Sequence, residues 1–136
     1  MKPEQRLQNA VCNYLKAQYP QVMFMISPSG IKLTMGQAVN LKRNQNPSKG
    51  WPDLLIMQPK YMGSNIFRCG LFIELKPDGT VLYKKDGTLR KNEHIENQYN
   101  IHTKLLLRHY HPVFAVGFDE AKNIIDSYLN EKEWAY

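Results

Sequence analysis

Apolar residues recur at helical spacing in three stretches of the chain and predict three helices. In the first stretch, residues 3 to about 18, an apolar residue recurs every four positions from Leu7 to Leu15. The second predicted helix spans about 91–109, and the third spans about 119–130. Because the patterns are one-sided, each helix is expected to pack one face against a core.

Further apolar runs predict strands because they are short and bounded by turn residues. They cover residues 22–26, 53–57, 67–76 and 113–117. The first run is continuously apolar, which is typical of a strand covered on both faces. Residues 59–65 are predicted as the turn of an antiparallel hairpin, and residues 78–90, with two Asp-Gly pairs, as a protruding hairpin. Residues 31–45 allow a short helix.

The order of the main elements, α, β, β, β, α, β, α, predicts an α/β fold with a mixed β-sheet flanked by helices. A helix before the last strand favours parallel pairing of that strand. The chain has 136 residues, which is a common size for one domain. No internal boundary is indicated, so residues 1–136 are expected to form a single domain.

Three charged residues interrupt two of the apolar runs. Asp53 follows Gly50-Trp51-Pro52, and Glu74 and Lys76 lie in the run Leu71-Phe72-Ile73-Glu74-Leu75-Lys76. Residues two apart in a strand share a face, so Glu74 and Lys76 are expected to be neighbours. Since an unpaired charge inside a core is costly, charges in such runs indicate a site. Two acids and a lysine on adjacent strands are a suitable set for a divalent metal.

Helical phase directs two more polar side chains toward the core side. Extrapolated back from Leu7, the apolar stripe of the first helix includes Glu4. In the second helix Gln98 shares a face with Ile101 and Leu105. Each has a simpler interpretation, because an acid in a first turn is a favourable dipole partner and a glutamine at a core edge is often a hydrogen-bonded packing residue.

Together these residues resemble the PD-(D/E)xK nuclease superfamily. The resemblance rests on Gly50-x-Pro52-Asp53 before a strand, Glu74-x-Lys76 on the next strand, and Gln98 in the following helix. Within the superfamily the chain is most similar to the VRR-NUC family, whose members add a glutamate in the N-terminal helix, where this chain has Glu4. The resemblance extends from the first helix to the strand at Val113 and implies a restriction-endonuclease-like core.

The resemblance also implies a metal-dependent endonuclease that hydrolyses phosphodiester bonds in DNA. Glu4, Asp53 and Glu74 would surround Mg²⁺ or Mn²⁺. Lys76 would position the attacking water, and Gln98 would support the site; whether Lys76 is the general base stays open. Small relatives resemble phage proteins and are often homodimers, so a homodimer acting on DNA is implied, with branched or junction DNA as one expected substrate. The alternative is a non-catalytic nucleic-acid-binding module that retains the fold.

The excess of basic over acidic residues favours binding to a polyanionic partner. The formal charge is +6, from 18 Lys and Arg against 12 Asp and Glu, and such a charge favours nucleic acid through counterion release. The candidate contacts to DNA lie in two basic segments: Lys42, Arg43, Lys49, Lys84, Lys85, Arg90 and Lys91. Exposed lysines are also common in loops that bind no nucleic acid, so both interpretations stay open.

The remaining candidate groups indicate ordinary packing. Cys12 and Cys69 are too few for a disulfide framework or a zinc site and are expected to be buried and reduced. The four histidines lack the spacing of metal ligands. Trp51 is interpreted as a packing anchor.

No apolar run approaches the ~20 residues that cross a bilayer, and the N-terminus lacks a signal-peptide pattern. A cytoplasmic location is therefore expected, in the host cell if the protein is phage-encoded.

Overall fold

The computed structural model describes residues 1–28, 31–63, 65–90 and 92–130. Within these ranges the chain forms four helices and six strands, numbered here in chain order. They are α1 (Pro3–Gln18), β1 (Phe24–Ile26), α2 (Met35–Arg43), β2 (Leu54–Ile56), β3 (Lys60–Met62), β4 (Ile66–Arg68), β5 (Leu71–Lys76), α3 (Glu93–Leu106), β6 (His111–Val116) and α4 (Gly117–Tyr128).

A four-stranded mixed sheet forms the centre of the fold, with the strand order β1-β2-β5-β6. β1, β2 and β5 pair antiparallel, whereas β5 and β6 pair parallel. A parallel pair needs a long crossover, and α3 supplies it between β5 and β6. The predicted α/β fold with a mixed sheet flanked by helices is therefore confirmed, together with its parallel last pair.

The core lies between one face of the sheet and helices α1 and α4. Its buried apolar residues are Leu7, Val11, Leu15, Val22, Leu54, Ile56, Leu71, Ile73, Leu75, Ala115, Ala121, Ile125, Tyr128 and Leu129. Helix α3 packs against the other face, where the rings of His102 and Phe114 lie with centroids 4.4 Å apart. The two faces of β5 thus have different surroundings, because alternate residues of a strand point to opposite sides.

β1 is an edge strand with an open face, so the prediction that residues 22–26 are covered on both faces is wrong. The strand pairs with β2 on one side only within the sheet. Met23 is 72% exposed and Met25 is 49% exposed. A continuous apolar run does not reveal whether a strand lies at the centre or the edge of a sheet, since that depends on pairing with distant strands.

The short helix allowed over residues 31–45 forms as α2. Thr34 and Gln37 cap it reciprocally: the Gln37 backbone N–H donates to the Thr34 hydroxyl, and the Thr34 backbone N–H donates to the Gln37 side-chain carbonyl. None of the residues of α2 is buried. Local capping therefore begins this helix, while its side chains add little to the core.

Two further strands interrupt the connection between β2 and β5. The single turn predicted over residues 59–65 and the unbroken strand predicted over 67–76 are wrong, because β3 and β4 form a two-stranded ribbon there. The break falls at Gly70, whose backbone approaches β2 so closely that a Cβ would lie 2.7 Å from the Ile56 carbonyl oxygen. β2 and β5 nevertheless pair antiparallel, as predicted.

The remaining boundaries differ from the predictions by a few residues. β6 begins two residues early, at His111, and α4 begins at Gly117, which has a φ of +81°. The hairpin predicted over residues 78–90 is a tight turn with an isolated bridge between Tyr83 and Leu89. These shifts follow from turn geometry, which apolar periodicity does not encode.

Both cysteines are free and half-buried, so the expectation of full burial is wrong. Burial still raises the pKa of the Cys12 thiol.

In the part of the chain that the structure describes, no helix combines the length and the apolar character needed to traverse a membrane.

A carboxylate on α4 joins this helix to α1 beside the core. The Tyr14 and Tyr19 hydroxyls donate to Asp126 Oδ1 at 2.5 and 2.7 Å, and Lys122 Nζ donates to Asp126 Oδ2 at 2.9 Å. Both tyrosine contacts span more than 100 residues of sequence. Asp126 therefore fixes the N-terminal helix, which carries Glu4, against the C-terminal helix.

We predict that Asp126→Ala lowers the free energy of unfolding by about 1–3 kcal/mol, because two part-buried hydroxyls lose their acceptor. Urea denaturation at pH 7 measures the loss. Lys122→Ala is the matched control, since it removes the ion pair and the contact of Lys122 with the Tyr14 ring but keeps both tyrosine hydrogen bonds, and it should cost clearly less. Equal losses in the two variants would contradict the central role of the tyrosine hydrogen bonds.

Candidate active site

Asp53 stands just before β2 and is held through its backbone and its carboxylate. The Ser27 backbone N–H donates to the Asp53 carbonyl oxygen at 2.7 Å, and the Ser27 hydroxyl donates to the Pro52 carbonyl oxygen. Asp53 Oδ2 accepts from the Leu75 backbone N–H at 2.9 Å. The end of β1 therefore fixes the Pro-Asp peptide, while β5 orients the carboxylate.

Glu74 lies on the α3 side of β5 and is only 5% exposed. Gln98 Nε2 donates to Glu74 Oε1 at 2.8 Å, and Lys76 Nζ lies 3.8 Å from the same oxygen. The other oxygen, Glu74 Oε2, and the carbonyl oxygen of Gln98 are buried without a hydrogen-bond partner among the described residues. Two acceptor atoms in this site are thus available to a cation or its water ligands.

Gly50 brings the loop before Asp53 against α3. Its φ is +92°, a conformation that favours glycine. A Cβ at this position would lie 2.5 Å from the Asn97 carbonyl carbon and 2.6 Å from the Gln98 backbone nitrogen. Backbone-to-backbone contact at this point sets how closely Asp53 approaches the helix that carries Gln98.

An open cleft of about 610 Å³ joins these groups to Glu4. Its lining includes Glu4, Asp53, Glu74 and Lys76. Glu4 is exposed rather than buried, and it lines the same cleft as Asp53 and Glu74. It lies at the mouth of the cleft, because the apolar stripe of α1 becomes buried only from Leu7 onward.

The cleft also contains residues that were not predicted from the sequence. Gln8 is nearly buried in the α1 wall, one helical turn after Glu4. Lys2 and Lys32 line the same cleft. The four-residue spacing from Glu4 was an available signal for Gln8. No signal in the sequence identified Lys32, since the path of residues 31–34 depends on tertiary structure.

Burial gives both acids raised pKa values. It raises the pKa of Asp53 above its ordinary value, although the Leu75 N–H and the Lys76 charge oppose the rise. It raises the pKa of Glu74 well above its usual range, and the Asp53 charge adds to the rise whereas Lys76 opposes it. Neighbouring carboxyl groups with little access to water therefore disfavour carrying two negative charges without a further cation.

The carboxylates of Asp53 and Glu74 form a donor set whose chemistry suits a hard divalent cation. Carboxylate oxygens are the ligands that Mg²⁺ and Mn²⁺ prefer. Among the residues that the structure describes, no three His, Cys, Asp or Glu side chains form a group that could hold a metal. Glu4 therefore contributes a carboxylate at the mouth of the cleft rather than a preformed third ligand.

The candidate DNA contacts are exposed and lie outside the cleft lining. Lys42 and Arg43 occupy the last turn of α2, and Lys49 lies in the loop that follows. The hairpin after β5 carries the other described members of the set, namely Lys84, Lys85 and Arg90. Lys91 lies outside the described residues.

The fold of the chain is similar to that of a solved structure described as a "VRR_NUC domain protein". The similarity has a TM-score of 0.65 and covers 95% of this chain and 89% of the other, at 24% sequence identity. The resemblance inferred from the sequence is therefore confirmed for the fold. No protein-family model and no curated protein matches the sequence.

We predict that Gly50→Ala destabilises the protein by more than the cost of about 1–3 kcal/mol expected for a positive φ alone, because the new Cβ overlaps the backbone of α3. The measurement is the free energy of unfolding in urea. Gly63→Ala is the matched control: its φ is +71°, and beyond its chain neighbours no described atom lies within 4 Å of where the Cβ would be added. Equal losses would contradict a tight contact at Gly50.

We also predict that the metal-free protein loses stability as the pH rises above about 4.5, the ordinary pKa of a glutamate. The folded state keeps a proton on Glu74 that the unfolded state has released, so stability falls until the pH reaches the raised pKa of the folded state. Melting temperatures between pH 4.5 and 9 in EDTA measure the slope.

Glu74→Gln should flatten this slope, because glutamine does not titrate. Glu96→Gln, on the exposed side of α3, is the control and should keep the slope. A slope unchanged by Glu74→Gln would show that another group causes the pH dependence.

Proposed function

We propose that this protein is a Mg²⁺- or Mn²⁺-dependent endonuclease that hydrolyses phosphodiester bonds in DNA. The observation that carries the proposal is the pair of neighbouring carboxylates, the part-buried Asp53 and the buried Glu74, beside Lys76 in an open cleft. The similarity of the fold to a VRR_NUC domain protein supports this chemistry over other uses of a carboxylate pair.

Asp53 and Glu74 are the proposed inner metal ligands. A bound divalent cation supplies charge stabilisation at phosphorus and lowers the pKa of an attacking water. The Leu75 backbone N–H holds Asp53, and the Gln98 amide holds Glu74, so both carboxylates are oriented by the chain itself. Glu4 is the proposed additional carboxylate, because it lines the same cleft at its mouth.

Lys76 is proposed to position the attacking water and to offset negative charge on the phosphate. Its ammonium group lies 3.8 Å from Glu74 Oε1 and offers up to three hydrogen bonds. A fixed positive charge at this point is more stabilising as charge develops in the transition state than in the ground state. Gln98 keeps Glu74 in place and thereby supports both groups.

A DNA substrate agrees with the charge of the protein. The formal charge is +6, and Lys2 and Lys32 line the cleft that holds the acids.

A homodimer is part of the proposal, since two-fold pairing is the commonest form of soluble oligomer and would provide two sites for paired cuts. Selectivity for branched DNA would then depend on the spacing of those sites.

We predict that the protein nicks supercoiled plasmid DNA in Mg²⁺ or Mn²⁺ and loses this activity in EDTA. Asp53→Asn, Glu74→Gln and Lys76→Ala should each slow cleavage by about 100-fold or more, because each removes a ligand or a charge from the reacting groups. Circular dichroism and urea denaturation check that each variant folds.

Asp78→Asn is the matched control, because Pro77-Asp78 repeats the Pro-Asp pair outside the proposed ligand set. It should cleave at the wild-type rate. If wild-type protein binds DNA in a salt-dependent way but cuts neither plasmid nor branched substrates in either metal, the non-catalytic binding module replaces the nuclease.

A further inference from the structure

A second cavity, of about 590 Å³, opens beside the acidic cleft on the α2 side of the sheet. Its lining is mainly apolar and consists of Ser27, Pro28, Ile31, Leu33, Leu41, Gln45, Asn46, Trp51, Pro52, Leu55 and Phe72. Ile31 lines both this cavity and the acidic cleft. The two spaces are therefore neighbours rather than separate sites at opposite ends of the molecule.

The strand register places the floor of this cavity close to the two acids. Leu55 and Phe72 pair directly across β2 and β5. Leu55 lies two residues after Asp53, and Phe72 lies two residues before Glu74, so each shares a sheet face with its acid. Two residues of a strand span about 7 Å. The base attached to a phosphate at the two acids would therefore lie within reach of Leu55 and Phe72.

The lining has the chemistry that binds a nucleobase. Trp51 and Phe72 are the aromatic residues of the lining, and unpaired bases stack on such rings. Because Phe72 already stacks on Tyr110, with ring centroids 4.7 Å apart, Trp51 is the main stacking surface for a base. The Trp51 indole N–H donates to the Ser48 carbonyl oxygen at 2.9 Å, which holds the ring in one orientation. Gln45 and Asn46 lie at the exposed side of the cavity and offer amide donors and acceptors to a base edge.

Basic residues around the cavity favour an anionic ligand over a purely apolar one. Lys42 and Arg43 are exposed at the end of α2, beside the lining residue Leu41, and Lys49 follows in the loop that leads to Trp51. Such positions suit contacts to the phosphates on either side of a bound base. Because the segments that adjoin the lining carry three exposed basic residues, the cavity matches a nucleotide better than a lipid or an apolar peptide.

We propose that this cavity binds one unpaired nucleobase of the DNA strand whose phosphate occupies the acidic cleft. The inference rests on the proposed nuclease function and adds to it a preference for DNA with a bulged or frayed nucleotide. A base in a paired stack must first be unpaired and unstacked, whereas a bulged base has already lost those interactions. Trp51 then contacts the base in addition to its packing role.

The test compares two DNA duplexes that share one strand, which carries the fluorescent adenine analogue 2-aminopurine. They differ only in the complementary strand, which either has a thymine opposite the 2-aminopurine or lacks that nucleotide and leaves the 2-aminopurine as a single-base bulge. Binding is measured in EDTA, so that cleavage does not interfere. Wild-type protein should bind the bulged duplex about tenfold more tightly than the paired duplex, in the range expected for one stacked base. Stacking should also quench the 2-aminopurine fluorescence of the bulged duplex only.

Leu41→Trp, which places a bulky ring in the cavity and narrows it, should reduce the preference to less than about twofold while binding to the paired duplex stays unchanged. Val39→Trp is the matched control, because it adds the same side chain on the same helix at an exposed position outside the cavity lining. It should keep the full preference and the quenching. Trp51→Leu removes the ring but keeps an apolar side chain, and it provides a second test if Leu41→Trp fails to fold.

Equal binding of the two duplexes by wild-type protein, or an undiminished preference in the folded cavity variants, would overturn the inference. Plasmid cleavage in Mn²⁺ is measured on the same preparations. Cleavage without a bulge preference overturns only the base-binding cavity. A bulge preference and quenching without cleavage by the wild type overturn only the nuclease and retain the cavity as a base-binding site.

Discussion

The site depends on two neighbouring carboxyl groups, Asp53, which is partly buried, and Glu74, which is buried. Loss of water contact raises the pKa of both groups, and the Asp53 charge raises that of Glu74 further, whereas a hydrogen bond with Glu74 lowers that of Asp53. The Leu75 backbone N–H, the Gln98 amide and the Lys76 ammonium group stabilise the charged carboxylates only in part. A protein gains nothing in stability from such an arrangement. In the proposed function this arrangement binds a positive charge, and contacts from several elements keep the two groups together.

Several contacts from distant parts of the chain maintain that arrangement. Ser27 at the end of β1 holds the peptide before Asp53, and Gly50 allows the same loop to touch the backbone of α3. Parallel pairing of β5 with β6 fixes α3 over the sheet, which brings Gln98 to Glu74. Because these contacts involve rigid elements, a small shift in one of them changes the separation of the carboxylates.

Local patterns were sufficient to predict the parts of the site that lie on one element. The period of two in β5 placed Glu74 and Lys76 on one face, and the helix period turned Gln98 toward the sheet. Features that depend on tertiary pairing escaped prediction. They include the edge position of β1, the β3–β4 ribbon and the exposure of Glu4. Residue type and spacing carry no information about which distant strand or loop completes a surface.

Strand alternation also explains why an apolar cavity adjoins an ionic cleft. Phe72 lies on the same face of β5 as Glu74, two residues earlier, and the same spacing separates Asp53 from Leu55. α3 covers the ionic part of this face, whereas α2 stays at a distance and has no buried residue. Closing α2 onto the sheet would bury more apolar surface and stabilise the fold. The basic end of α2 would then lie against the sheet instead of facing solvent, where it is accessible to a polyanion.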